Sequence, residues 1–259
     1  MNNYHTHHYL CGHATGNVND YVLEAIKHGF EEIGISDHGP IVAEAFKRMT
    51  LSEFEDIYLK EIDEAILKYG EKIKIYKGLE IEFISYDLNH YRMLLEKVDY
   101  LILGCHYFKD EMILHNYYSS YTIDTKEKLE SYTSLIEKAL DSGFFKIIAH
   151  PDQLVYSYKV IDEFAVDCIK RIIAAAIRNN VLLEFNAGGV RTTGHLNDKG
   201  ETVYTLPNFD FWKLVSLSNA KVIVGSDCHK PEELADEAFY TAFELAKKYN
   251  LNIVKKLFE

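Results

Sequence analysis

The sequence predicts an α/β protein built on a parallel sheet, and three observations carry that expectation. Seven short apolar runs are spread over 259 residues, each but the last followed by a helical pattern or an insert before the next run. The runs are nearly continuous in their apolar character rather than alternating, as strands covered on both faces must be. Most of them stop on a histidine or an acidic residue. Strands alternating with helices over this length imply a parallel sheet, either open or closed into a barrel. The glycine-rich phosphate fingerprint of the open, doubly wound form is missing after the first strand, which counts against that form.

The first element is the opening stretch Tyr4 to His13, with four imidazoles in nine residues. In an extended segment side chains alternate, so His5 and His7 share a face while Thr6 and His8 point away. Asn17 or Asn19 is placed to cap a helix carrying Val22, Leu23, Ala25 and Ile26 at helical spacing, stopping near Gly29. The run from Ile33 ends at Ser36-Asp37-His38 before the Gly-Pro breaker. A long helix is expected from Ser52 to Tyr69, with Ser52 and Glu55 as a capping box. The strand from Ile73 to Phe83 then puts Glu80 and Glu82 on one face.

A shorter helix, His90 to Glu96, leads to the run Tyr100 to Leu103, which ends in Gly-Cys-His106. The tyrosine-rich insert from Phe108 to Thr122 reads as a loop over a site. A helix from Thr125 to Ser142 precedes the run that ends in Ala149-His150-Pro151-Asp152. A helix from Asp162 to Asn179 precedes Val181 to Asn186 and the segment Ala-Gly-Gly-Val-Arg191. The last run, Lys221 to Gly225, ends in Ser-Asp227-Cys-His229, and a helix from Pro231 to Tyr249 follows.

Composition narrows the function. Forty acidic against 28 basic residues give a formal charge of −12, which repels a polyanion, and no basic cluster offsets it. Nucleic acid is therefore not expected as a partner. No signal-peptide pattern opens the chain and no apolar run is long enough to span a membrane, so a cytoplasmic location without membrane association is expected. The four cysteines form no CxxC pair, which speaks against a thiolate zinc site or a disulfide frame.

In a parallel barrel the C-terminal strand ends share one rim, so residues there meet however far apart they lie in sequence. Collected at those ends are His5, His7, His13, His38, Glu80, His106, His150, Asp227 and His229. Neutral imidazole is the commonest side-chain metal ligand, and seven imidazoles with two carboxylates exceed what one ion takes. Two or three cations are expected.

The blocks HTH with a following His at 4–13, SDHGP at 36–40, KGLEIEF at 77–83, GCH at 104–106, AHP at 149–151, EFNAGG at 184–189 and GSDCH at 225–229 resemble, in order, those of the polymerase-and-histidinol-phosphatase (PHP) superfamily of metal-dependent phosphoesterases. The resemblance implies a single domain over residues 1–259 with a distorted seven-stranded (β/α) barrel, similar to a TIM barrel. It also implies three divalent ions: His5, His7, Glu80 and Asp227 on the first, His13, His38 and His229 on the second, and Glu80 as a bridge with His106 and His150 on the third. Zinc, manganese and iron all suit imidazole with carboxylate.

The Cys-Gly-His-Ala stretch and the Asn-Ala-Gly-Gly-Val-Arg segment are similar to the histidinol-phosphatase branch, which implies hydrolysis of L-histidinol phosphate, in histidine biosynthesis, by a metal-bridging hydroxide. Other small phosphomonoesters or phosphotyrosine are the alternative substrates; a phosphodiesterase or exonuclease and a non-catalytic metal-binding domain are further alternatives. Asp227 and Glu80 are expected at the chemistry. Arg191 is a candidate donor to the phosphate, Asp152 a candidate to protonate the leaving group or orient a ligand, and Glu82 a candidate contact for a substrate amine. His195 lies in a loop able to cap the site, and Asn186 is a candidate partner for a ligand.

Overall fold

The computed structural model describes residues 1–40, 48–83, 88–109 and 117–258. Its main sheet has eight strands, all parallel: Asn2–Asn3, Glu32–Ile35, Lys74–Ile81, Tyr100–Leu103, Phe145–Ile148, Leu182–Asn186, Lys221–Gly225 and Asn252–Ile253, side by side in that order. The seven expected strands are all present. The eighth, beyond the last helix, was not foreseen, because two residues are too short for any periodicity to show.

The sheet curls until its two sides meet at the upper rim. There the chain just past the first strand runs beside the chain just past the seventh: Thr6 bridges Cys228 in parallel fashion, His7 N donates to Cys228 O at 3.0 Å, and Asp227 N donates to His5 O at 3.1 Å. At the lower end the eighth strand follows the seventh, and the tail beyond it brings Val254, Leu257 and Phe258 against the residues inside the barrel. Those interior residues are Tyr4, Tyr100, Ile102, Ile147, Ala149, Leu182 and Ile223. A larger apolar layer lies between the sheet and its helices, which explains why the strand runs read as continuous hydrophobic stretches.

The helices start where side chains satisfy their free amides. Asn17 and Asp20 form a reciprocal capping box at Val18–Lys27. The next long helix is capped two residues earlier than expected: Thr50 Oγ1 accepts from Glu53 N, and Glu53 accepts from Thr50 N at 2.7 Å. It also contains a π-helical turn at Phe54–Tyr58. Between Ser52 and Glu55 the same residue types stand at the same spacing, so the motif alone did not choose the frame.

The tyrosine-rich insert is more regular than expected. Tyr107–Lys109 pairs antiparallel with Tyr117–Ser119, followed by a 3-10 turn at Ser120–Thr122; its residues 110–116 lie outside the described ones. Ala187–Thr193 forms a short helix, and His195 lies on a second small hairpin, Gly194–Leu196 with Thr202–Tyr204. Pro231 opens a 3-10 turn, and the closing helix starts only at Glu237, capped by Asp236.

Candidate metal centre

Every strand end expected to carry a ligand opens on the same rim, and the side chains converge. Glu80 lies near the end of the third strand, and its backbone pairs across to His38 beyond the second. Its Oε2 is 3.0 Å from His38 Nδ1, 3.4 Å from His7 Nε2 and 3.6 Å from His5 Nε2. Its Oε1 is 3.4 Å from His150 Nε2 and 3.5 Å from His106 Nε2. Asp227 Oδ1 faces the same group, 3.2 Å from His7 Nε2, 3.6 Å from His5 Nε2 and 3.8 Å from His229 Nδ1. His13 closes the outer side, its ring 4.9 Å from that of His229 and 5.4 Å from that of His38.

Donor atoms of His5, His7 and Glu80, of His7, His38 and His229, and of His38, Glu80 and His106 each lie close enough to share one ion. Glu80 is 1% exposed, yet neither of its carboxylate oxygens accepts a hydrogen bond among the described residues. A buried carboxylate left so is costly unless cations meet it. The donor set therefore fits divalent cations held by imidazole and carboxylate.

The rings are aimed by a further layer of carboxylates. Glu184 Oε1 is 2.8 Å from His5 Nδ1, and Asp37 Oδ1 is 3.2 Å from His7 Nδ1, so each ring turns its Nε2 inward and the two meet at 3.0 Å. This is how carboxylates fix the tautomer and direction of ligating histidines. Asn186 donates to Glu184 Oε2 at 2.8 Å and to Asp227 Oδ2 at 3.0 Å, which leaves Asp227 Oδ1 for the cluster. Two glycines of the sequence blocks make room: a Cβ on Gly104 would sit 2.5 Å from Glu80 Oε1, and one on Gly225 only 1.8 Å from Glu184 Oε1. His150 and Asp227 hold left-handed backbone angles, φ 33° and 47°, which non-glycine residues seldom adopt outside constrained sites.

The charges are ordered by this surrounding. Burial opposes a proton on His5 and His7, but the carboxylates of Glu184, Asp227 and Glu80 outweigh it at His5, and bonds to Asp227 and Asp37 lift His7 to about 9. His38 instead falls to about 3, through burial and the neighbouring charge on His7, and half-buried His229 falls to about 4 through the same two causes. Burial works against ionised Glu80 and Asp227 too, but the surrounding imidazoles hold both well below the usual carboxylate range. The centre is dry at its base and open above: His5 and Glu80 are sealed, whereas the side chains of His106 and His229 are 21% and 31% exposed.

A cleft of about 350 Å³ lies over the cluster, and a second of about 520 Å³ adjoins it, sharing Tyr121, His150, Asp227 and His229. Residues 3–188 match the PHP domain family, a span of more than two thirds of the sequence. This chain belongs to the PHP domain family. Among relatives, a "Probable histidinol-phosphatase" of Deinococcus radiodurans is 26% identical over 89% of this chain and 86% of its own length. A "Probable phosphatase" of Acetivibrio thermocellus is also 26% identical, over 87% and 78%. The solved structure of histidinol phosphate phosphatase from Lactococcus lactis, complexed with zinc, L-histidinol and phosphate, matches this PHP fold with a TM-score of 0.69 at 20% identity, over 98% of this chain and 95% of that one.

Four expected site residues of this PHP protein stand differently from the nine in the cluster. Arg191 lines the larger cleft, but its guanidinium grips Asp236 (Nε to Oδ2 2.7 Å) and donates to the carbonyls of Ser226 and Glu233. The donor expected to be free for phosphate is thus engaged in holding the Asp227 loop to the last helix. Asp152 is buried, which pushes its carboxyl up, and its Oδ2 accepts from Asn208 N and Trp212 Nε1 at 2.7 and 2.9 Å. Glu82 is sealed from solvent; burial notwithstanding, His106 and Arg48 pull it down to about 2. His195 is exposed on its hairpin, with Nδ1 3.1 Å from Thr193 O. Sequence reasoning did not single out Asp37, though an acid beside a strand-end histidine was a signal, nor Arg48, which no strand end announces.

Proposed function

We propose that this PHP-domain protein is a metal-dependent phosphomonoesterase that hydrolyses L-histidinol phosphate to L-histidinol and phosphate, acting as a single catalytic domain in the cytoplasm. The observation that carries the reading is Glu80, whose two sealed oxygens face five imidazoles and accept no hydrogen bond from the described residues. The relative named for this activity, and the Lactococcus enzyme seen with histidinol and phosphate, support the choice of substrate.

Three cations suit the cluster, with His5, His7, Glu80 and Asp227 on one, His13, His38 and His229 on another, and Glu80, His106 and His150 on the third. Zinc, manganese or iron so held would neutralise a phosphate dianion and lower the pKa of water toward neutrality for in-line attack. The chain's own part is to keep that arrangement preformed. Glu184 and Asp37 orient His5 and His7, and Asn186 turns Asp227 toward the cluster. Charge on a loose transition state lies on the equatorial and leaving oxygens, so fixed positive charge over the rim contributes most. The larger cleft, walled by Tyr121 and Tyr156 with Gln153 and Glu233, takes the alcohol part of the substrate.

The test is a panel of phosphomonoesters, including histidinol phosphate and phosphotyrosine, against phosphodiesters, with zinc-, manganese- and iron-loaded protein. Preference for histidinol phosphate by at least tenfold in kcat/KM is expected. A protein that binds metal yet turns over only diesters, or nothing, overturns the reading.

A further inference from the structure

Arg48 is the one arginine or lysine among the described residues lining the cleft over the cluster. It stands two residues ahead of Thr50, whose side chain caps the helical segment that starts at Leu51. Its Nη2 donates to Glu82 Oε1 at 2.6 Å, and that same oxygen lies 3.3 Å from His106 Nδ1. One sealed carboxylate thus aims both a candidate metal ligand and the cation of the cleft. The Arg48 side chain is only 12% exposed, and its Nε is buried without a hydrogen-bond partner among the described residues. A guanidinium keeps its charge throughout the working pH range, and an enclosed donor of this kind is left to be satisfied by a ligand's acceptor.

A phosphoryl group presents what is missing here: several anionic oxygens, matched to the planar fork of arginine. We propose that Arg48 grips the phosphoryl group of the substrate and the phosphate product, with Glu82 as the anchor that holds it at the mouth of the cluster, while Arg191 serves the frame. This rests on the phosphomonoesterase reading above for its substrate, but not for its binding test. Glu82, expected to meet a substrate amine, on this account meets none, because its charge is shared between Arg48 and His106.

The probe is inorganic phosphate, titrated calorimetrically into metal-loaded wild type, Arg48→Met and the double variant Arg48→Met/Glu82→Gln. Methionine keeps most of the apolar stem, and the double variant removes the carboxylate that Arg48→Met alone would leave uncompensated. Metal content by elemental analysis and thermal midpoint are read on the same samples. Measured at saturating metal, phosphate affinity should fall at least tenfold in both variants, with the metal content of Arg48→Met unchanged, while the double variant is allowed the weaker metal affinity that loss of a partner of His106 brings; Arg48→Lys should recover only part. Wild-type affinity in the metal-replete double variant overturns the proposal. So does a wild type that binds no phosphate, or metal lost from both variants, which assigns Arg48 to framing the centre. Phosphate binding that depends on Arg48 in a protein inactive on every monoester leaves this inference standing and removes the functional reading; turnover and phosphate affinity both indifferent to Arg48 do the reverse.

Discussion

Glu184 and His5, 179 positions apart, meet at 2.8 Å inside the barrel, and the contact turns the opposite nitrogen of His5 toward Glu80 and Asp227. Glu184 is held in turn by Asn186 Nδ2 and by the backbone N–H of His150 at 3.2 Å. The sixth strand thereby aims a ring carried just past the first. Glutamine at 184 keeps the shape and loses the charge. Glu184→Gln should lower metal affinity by roughly 10- to 100-fold, the usual range for such supporting partners, with the fold retained. Chelator competition measures it; wild-type affinity would remove Glu184 from the centre.

Gly225 sits where a methyl group would land 1.8 Å from that same carboxylate. Since Glu184 is pinned by three partners, it cannot swing away freely. Gly225→Ala is expected to cost about 1–3 kcal/mol of stability, as overpacking does, and to weaken metal binding with it. A chemical denaturation curve matching wild type, on protein of full metal content, would count against the packing argument.

His38→Ala and Asp227→Ala each remove a donor from the cluster. Both should lose about 100-fold or more in turnover, beyond what supporting residues cost, and show less bound metal by elemental analysis. Two variants that stay fully active and fully loaded mean the centre is drawn wrongly.

Proton and metal compete for His7. Its folded pKa is raised from 6.5 to about 9, so in metal-free protein its stabilising effect is complete below 6.5 and is lost as pH rises through about 9. The thermal midpoint of metal-free protein should therefore fall between pH 7 and 9. Metal affinity should rise over the same interval, and binding at pH 7 should release about one to two protons. Calorimetry in buffers of differing ionisation enthalpy counts them; a release of zero contradicts the assignment of His5 and His7 as ligands.

From the short helix Ala187–Thr193, Arg191 ties together Asp236, Ser226 and Glu233, which flank Asp227 in its loop. Arg191→Ala should cost about 2 kcal/mol, the scale of hydrogen bonds to charged groups, seen as a lower midpoint in urea. The affinity for inorganic phosphate should change less than on loss of Arg48. The opposite order would return Arg191 to the phosphate.

Strand ends were legible because buried parallel strands leave continuous apolar runs and a barrel puts their C-terminal ends on one rim; that much places His38, Glu80, His106, His150 and Asp227 together from sequence alone. The sequence blocks further implied the PHP family. What tertiary structure decided is which groups serve the cluster indirectly. Arg48 precedes a helix and Arg191 lies within one, and nothing local tells which guanidinium faces the cleft and which closes on Asp236. Asp37 and Glu184 act through distances that depend on how far the sheet curls, and the eighth strand exists only because the seventh offers it an edge. Periodicity reports which face a residue takes within its own element; the partner across the barrel is set by packing between elements distant in the chain.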